Sequence, residues 1–382
     1  MKRVLREMCR RHAARTLAPL VILALIILMV APLASVGKAA GVTRTYYIAA
    51  DEVEWNYAPT GINQITGQPF DDAANVFLQN GPDRIGAVNI KSLYREYTNA
   101  SFNRLKERDD KWEHLGLLGP VLRGAVGDTI KVVFKNKTLF DASVHPHGVF
   151  YLKDSEGFDY NDGSAAGTNG DGAVPPGETW TYNWTIPERA GPGPMDPSSM
   201  VWAYHGHTNE TADTNAGQIG VIIVTKAGMA NPDGSPKDVD REFVNLFTVF
   251  DENVSPYLDA NIARFTTSPV DVDDPDFQES NLKHSINGLM YGNLMDLKMK
   301  VGERVRWYVI GMGTEVDLHT PHWHANTLLW SGMRTDMVEL LPMSMKQLDM
   351  NPDNPGTWLY HCHVNDHIDA GMITMYAVNG RK

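Results

Sequence analysis

Trp358-Leu-Tyr-His-Cys-His363-Val-Asn-Asp-His367-Ile-Asp-Ala-Gly-Met372 sets three histidines, the chain's second cysteine and a methionine within fifteen residues. On a β-strand successive side chains point to opposite faces. His361 and His363 therefore face one way and Cys362 the other, so the thiolate can hold one metal while its neighbours hold part of another site. An earlier stretch, Trp202-Ala-Tyr-His-Gly-His207, repeats the pattern with glycine in place of the cysteine.

The echo extends outward from these two stretches. Val126-Gly-Asp-Thr-Ile-Lys-Val-Val-Phe134 has its counterpart in Val301-Gly-Glu-Arg-Val-Arg-Trp-Tyr-Val309, and Ala216-Gly-Gln-Ile219 in Ala370-Gly-Met-Ile373. A His-rich turn follows each member of the first pair: His145-Pro-His147 and His319-Thr-Pro-His322-Trp-His324. Matches in one order imply an internal duplication. Short runs of alternating β-formers bounded by Gly, Pro, Asn and Asp, with no long amphipathic helix, predict an all-β protein of two barrel or sandwich domains. We expect the first over 41–228 and the second over 240–380, joined by a polar linker at 229–239.

Composition agrees. The 382 residues contain 33 Gly and 22 Pro, 43% hydrophobic and 21% charged side chains, which suits a turn-rich globular chain and excludes disorder. A net charge of −12 argues against nucleic acid as a partner. Lys2, Arg3, Arg6, Arg10, Arg11 and Arg15 precede an uncharged run from Thr16 to Gly37, and Ala39 and Ala40 follow. This reads as a signal peptide or N-terminal membrane anchor over 1–39, so the chain is expected to be exported: periplasmic, extracellular or anchored on the outer side. With Cys9 inside that segment, Cys362 is the one remaining thiol, and a metal bond gives it a reason to stay reduced.

Ten of the 13 histidines lie in the four clusters. A thiolate with two imidazoles and a weak Met is the ligand set of a blue-copper centre, and His319, Cys362, His367 and Met372 supply its components. Eight imidazoles remain: His145, His147, His205, His207, His322, His324, His361 and His363. They suit copper and are enough for three ions. Zinc alone leaves so many histidines beside a redox-type site without a reason.

The four clusters in this order resemble those of the multicopper oxidases. The chain from Tyr46 onward is most similar to the ceruloplasmin and hephaestin branch, through Tyr47-Ile-Ala-Ala-Asp-Glu-Val-Glu-Trp55, Tyr94-Arg-Glu-Tyr97, His114-Leu-Gly-Leu-Leu-Gly-Pro120, Gly311-Met-Gly313 and Gly356-Thr-Trp-Leu359. Its two-domain size resembles bacterial two-domain laccases. The resemblance implies two cupredoxin-like Greek-key domains and four coppers per chain. The type 1 ion falls to His319, Cys362, His367 and Met372; the type 2 ion to His145 and His322; and the type 3 pair to His147, His205, His207, His324, His361 and His363. Gly206 opposite Cys362 and Gln218 opposite Met372 leave the first domain without a blue-copper site. Each domain then contributes four of eight cluster histidines, and two-domain members of the family close such clusters between chains, so a homotrimer is expected.

The implied reaction is one-electron oxidation of a small donor coupled to four-electron reduction of dioxygen to water. Tyr151 and Glu156, just after His147-Gly148, are candidate proton-relay groups. Glu279, His284 and Asp366 sit where the ceruloplasmin branch binds iron beside its type 1 copper, and hard carboxylate oxygens with one imidazole suit Fe(II). Fe(II) is therefore the expected donor, with phenols (a laccase) or Cu(I) as alternatives. A copper nitrite reductase shares the two-domain plan but needs only a single interface copper, which eight such histidines exceed.

Overall fold

The strand pairings repeat themselves. The structure, a computed structural model, describes residues 41–161, 170–314 and 317–380; the predicted signal or anchor at 1–39 lies outside the described residues. The first half contains β1 (Thr43–Asn56), β2 (Val88–Tyr97), β3 (Leu122–Ala125), β4 (Thr129–Asn136), β5 (His145–Pro146), β6 (Thr179–Thr185), β7 (Ser199–His205) and β8 (Ile219–Thr225). The second contains β9 (Arg241–Asp251), β10 (Leu282–Ile286), β11 (Lys298–Lys300), β12 (Val305–Gly311), β13 (Pro321–Trp323), β14 (Leu328–Trp330), β15 (Met333–Thr335), β16 (Met345–Met350), β17 (Gly356–Cys362) and β18 (Ile373–Asn379).

In the first half the sheets run β2-β1-β4-β6 and β3-β8-β7-β5; in the second, β10-β9-β12-β16-β14-β15 and β11-β18-β17-β13. Apart from the β14-β15 extension, the two orders correspond strand for strand. The senses match too: β1·β4 and β9·β12 are parallel, as are β3·β8 and β11·β18. Among the described residues five short α-helices decorate the strands: α1 (Asp72–Leu78), α2 (Glu210–Asn215), α3 (Leu258–Phe265), α4 (Pro275–Ser280) and α5 (Asn365–Asp369). Among the described residues, no helix is long and apolar enough to cross a membrane.

Alternation makes these strands two-faced. β4 buries Ile130, Val132, Phe134 and Asn136 and leaves the residues between them half-exposed. Each half fills its own sandwich, the first around Tyr182, Trp184, Phe134 and Ile222, the second around Trp307, Trp323, Tyr360 and Tyr376. A third cluster draws on both, with Tyr57, Leu115, Leu118 and Val221 packed with Val244, Leu246, Tyr308 and Ile310.

Polar contacts cross the same seam. His114 Nε2 accepts the Val244 N–H at 3.1 Å, and Asn287 Nδ2 donates to the carbonyls of His114 and Val244 at 2.6 and 2.9 Å. Arg123 forms a paired contact with Glu242. Lys91 and Glu252, both fully buried, form an ion pair that also receives the Tyr57 hydroxyl at 2.5 Å. The segment predicted as a linker is a tight turn held by the Asn231 N–H to Ser235 O and the Lys237 N–H to Met229 O, and Thr225 Oγ1 donates to its Gly234 carbonyl.

Candidate metal centres

β17 carries Cys362 to the edge of the second sandwich, where its N–H donates to the Met372 carbonyl at 3.0 Å. The chain then turns through α5 and returns as β18, with Gly371 at φ +116 making the reversal. This turn brings His367 back over the thiol. His319 arrives from the other side, paired with Leu340. His319 Nδ1 and His367 Nδ1 lie 3.1 Å apart, and Cys362 Sγ lies 3.9 and 3.7 Å from them. A point equidistant from those three atoms is about 2.1 Å from each, the length of a bond from a transition metal to nitrogen or sulfur. Cys362, His319, His367 and Met372 are all buried.

Burial pushes the Cys362 thiol up, but the polar contacts with the imidazoles of His319 and His367 and with the N–H groups of Thr320 and Val364 more than offset it and hold the thiol down at about 6. The site thus favours the thiolate, the form that binds metal. The donor set of one thiolate and two imidazoles fits copper.

The remaining eight histidines form two sets built alike. Register pairs His145 with His205 across β5·β7, and His322 with His361 across β13·β17. His147 Nε2 faces His205 Nε2 at 3.0 Å, and His324 Nε2 faces His361 Nε2 at 3.0 Å. His205 Nδ1 donates to the Gly206 carbonyl at 2.9 Å, as His361 Nδ1 does to the Cys362 carbonyl at 2.7 Å. Spending the ring proton on the backbone leaves Nε2 of His205 and of His361 with a free lone pair, aimed in each close pair at the Nε2 of its neighbour. Burial and the neighbouring imidazoles lower His147 and His205 to about 4, so both rings are neutral at pH 7, the form that can bind metal. His207 ring-stacks with His205 at 5.3 Å, and His363 packs against His322 at 5.3 Å. Among the described residues the buried Nδ1 atoms of His207 and His322 have no partner, which further suits a metal-binding role. Among the described residues the ring contacts between these eight histidines stay within each set. His145, His147, His207, His322, His324 and His363 all reach the surface in part.

In the first half the place of the thiolate is filled by other groups. A Cβ on Gly206 would meet Gln218 Oε1 at 2.6 Å and Asp213 Cβ at 2.7 Å. Asp213 stands five residues before Gln218, as His367 stands five before Met372. Desolvation lifts its carboxyl to about 6. Sequence reading missed this residue; counting back from Gln218 across the two-residue insertion would have found it.

The proposed relay and substrate residues are more scattered. Tyr151 lies 5.9 Å, ring to ring, from His145 and lines a cavity of about 390 Å³ with His145, His147 and Arg189. Glu156 reaches His145 through its main-chain oxygen, which accepts from Nδ1 at 2.6 Å, while its carboxylate pairs with Lys153. His284 packs against His367 at 5.3 Å and feels the charge of Asp366. Glu279 lines a cavity of about 610 Å³ together with Asp72, Asp83 and Asp276.

A sequence profile described as multicopper oxidase matches residues 114–228, and a second with the same description matches residues 264–382. The chain is 44% identical over 351 residues to the human (Homo sapiens) protein "Ferroxidase HEPHL1", covering 91% of this chain and 30% of that protein. It is 44% identical to human hephaestin over 344 residues (88% and 29%) and 45% identical to human ceruloplasmin over 346 residues (88% and 32%). The chain thus spans about 30% of the length of these curated relatives. Solved structures titled "Multicopper Oxidase mgLAC" and "Crystal structure of Blue Copper Oxidase from Nitrosomonas europaea" align with TM-scores of 0.56 and 0.54 at 18% identity, each covering 88% of this chain and 86% of theirs. At that identity they establish the fold, two cupredoxin-like domains.

Proposed function

This chain belongs to the multicopper oxidase family, and on that premise we propose that it couples one-electron oxidation of a small donor, foremost Fe(II), to the four-electron reduction of dioxygen to water. The observation that carries the reading is Cys362, whose Sγ faces His319 and His367 while His361 and His363 on either side belong to the second imidazole set. Copper, when bound, supplies single-electron steps at the thiolate site and, at the histidine clusters, the further centres that a four-electron reduction needs. His319, Cys362, His367 and Met372 would hold the type 1 ion. His145 and His322 would hold the type 2 ion, and His147, His205, His207, His324, His361 and His363 the type 3 pair, four coppers per chain. The chain's own contribution is electronic continuity, since Cys362 is bonded through the backbone to both flanking ligands. Tyr151 and the water-accessible cavity beside His145 offer a path for protons.

In the Cys362→Ser variant we expect the intense blue absorption to vanish and oxygen consumption to fall to background. A variant that stayed blue would place the thiolate site elsewhere.

Each half holds four of the eight cluster histidines, so a complete cluster needs a first-half face against a second-half face. We assign that closure to neighbouring copies in a homotrimer, with the domain boundary at 229–239. The acidic exported chain suits a cationic donor, and the name ferroxidase borne by one relative supports iron. His284 and Asp366 beside His367 would receive Fe(II), and Glu279 would draw it in from the acidic cavity. Replacing Glu279 and Asp366 together by Ala should lower kcat/KM for Fe(II) at least roughly tenfold, about 1.4 kcal/mol, and leave phenol oxidation nearly unchanged. Equal losses on both donors would sink the iron site and leave a laccase.

A further inference from the structure

Asp317 is a buried carboxylate that the ligand set does not use. Its Oδ1 lies 3.3 Å from His319 Nε2. Both residues are almost fully buried, at 3% and 1% exposure. Among the described residues His319 Nε2 has no well-aligned acceptor, and Asp317 Oδ1 stands beside it in an electrostatic contact off the N–H axis. The carboxylate itself is firmly held. Oδ1 accepts the Val249 N–H at 2.8 Å and Oδ2 the Thr314 N–H at 2.8 Å. The loop is also shaped to admit it: Gly313 sits at φ +126, and a Cβ there would lie 2.1 Å from the Asp317 carboxyl carbon. A side chain at 313 would therefore collide with the carboxylate as well as strain the backbone.

We propose that Asp317 is the positioning residue of the thiolate site, fixing His319 with its proton on Nε2 and Nδ1 toward Cys362, and that its negative charge lowers the reduction potential of the copper held there. A neutral imidazole carries one N–H, and a carboxylate beside Nε2 keeps the proton on that nitrogen, leaving the Nδ1 lone pair for the metal. A fixed negative charge in a dry site favours the more positive oxidation state of a nearby ion, and so a lower potential. The inference rests on the copper reading of His319, Cys362 and His367.

The test uses the copper-loaded full chain with Asp317→Asn and Asp317→Ser. Both keep an oxygen for a backbone N–H, and either suffices if the other fails to fold. Titrating the blue band with redox mediators under argon should show the potential moved positive in the variants, with the band retained. In the zinc-loaded wild type, long-range nitrogen–proton NMR should find the His319 proton on Nε2. A folded, blue variant with the wild-type potential overturns the proposal, as does a proton on Nδ1 in the zinc-loaded protein. A wild-type protein that takes up copper without any blue band would instead overturn the copper reading itself.

Discussion

Asp213 occupies in the first half the turn position that His367 occupies in the second, and there it is a liability rather than a ligand. An unfolded aspartate titrates near 3.8, whereas burial raises this one to about 6. Between those values the folded protein keeps a proton that the unfolded chain has released. Stability from this group therefore falls as pH rises from about 4 to about 6 and stays lower above. Asp213→Asn removes the titration while leaving an oxygen for the Asn209 N–H that Oδ2 now accepts at 3.0 Å. In urea unfolding of the metal-free protein, the variant should gain on the wild type across that window, by at most roughly 3 kcal/mol at pH 7. A difference that does not change between pH 4 and 7 would refute the assignment. The residues that the fold gathers into the thiolate site and the two histidine sets were legible in the sequence because histidine and cysteine are scarce and their spacing is informative. Asp213 and Asp317 were not, because aspartate is common and its role depends on which N–H groups the fold brings to it.

At the scale of elements, the reversal from β17 through α5 to β18 does the most for the thiolate site. Gly371 carries it at φ +116, and a Cβ there would come within 2.8 Å of the Tyr291 ring. Gly371→Ala should cost about 1–3 kcal/mol from backbone strain and displace Met372 relative to His367. A fall in Tm with an altered type 1 electron paramagnetic resonance signal would show both effects; an unchanged signal and Tm would contradict the geometry. The alternating strands could be anticipated from period-two patterns such as that of β4. β5 and β13, two and three residues long, could not, because so short a stretch shows no period. The five helices, of five to eight residues, lay below the same threshold, although the expectation of no long helix held for the described residues.

At the scale of the molecule, the seam between halves depends on a buried charge pair. Lys91→Met leaves the buried Glu252 without its ion-pair partner and should destabilise by about 3–5 kcal/mol, whereas the double variant Lys91→Met/Glu252→Leu should recover much of that loss. Equilibrium unfolding of the single and double variants measures both, and equal destabilisation of the two would argue against the pair. If the cluster histidines meet between copies, copper bridges those copies. A strong chelator should then convert the assembly to single chains in sedimentation, and a trimer that survives complete copper removal would refute metal-dependent closure. The duplication was legible because both copies keep their motifs in order. The shared core was not, since a sequence does not announce which outer faces two sandwiches press together. That shared core has a consequence for what the duplicated copies have become. With Val221 and Leu118 packed among Val244, Leu246 and Ile310, neither copy can be cut free without exposing a large apolar face. A protease nick in the 229–239 turn should leave two fragments that stay associated and melt in one transition. The halves began as repeats, but each has become an obligate folding partner of the other, and neither can now be inherited alone.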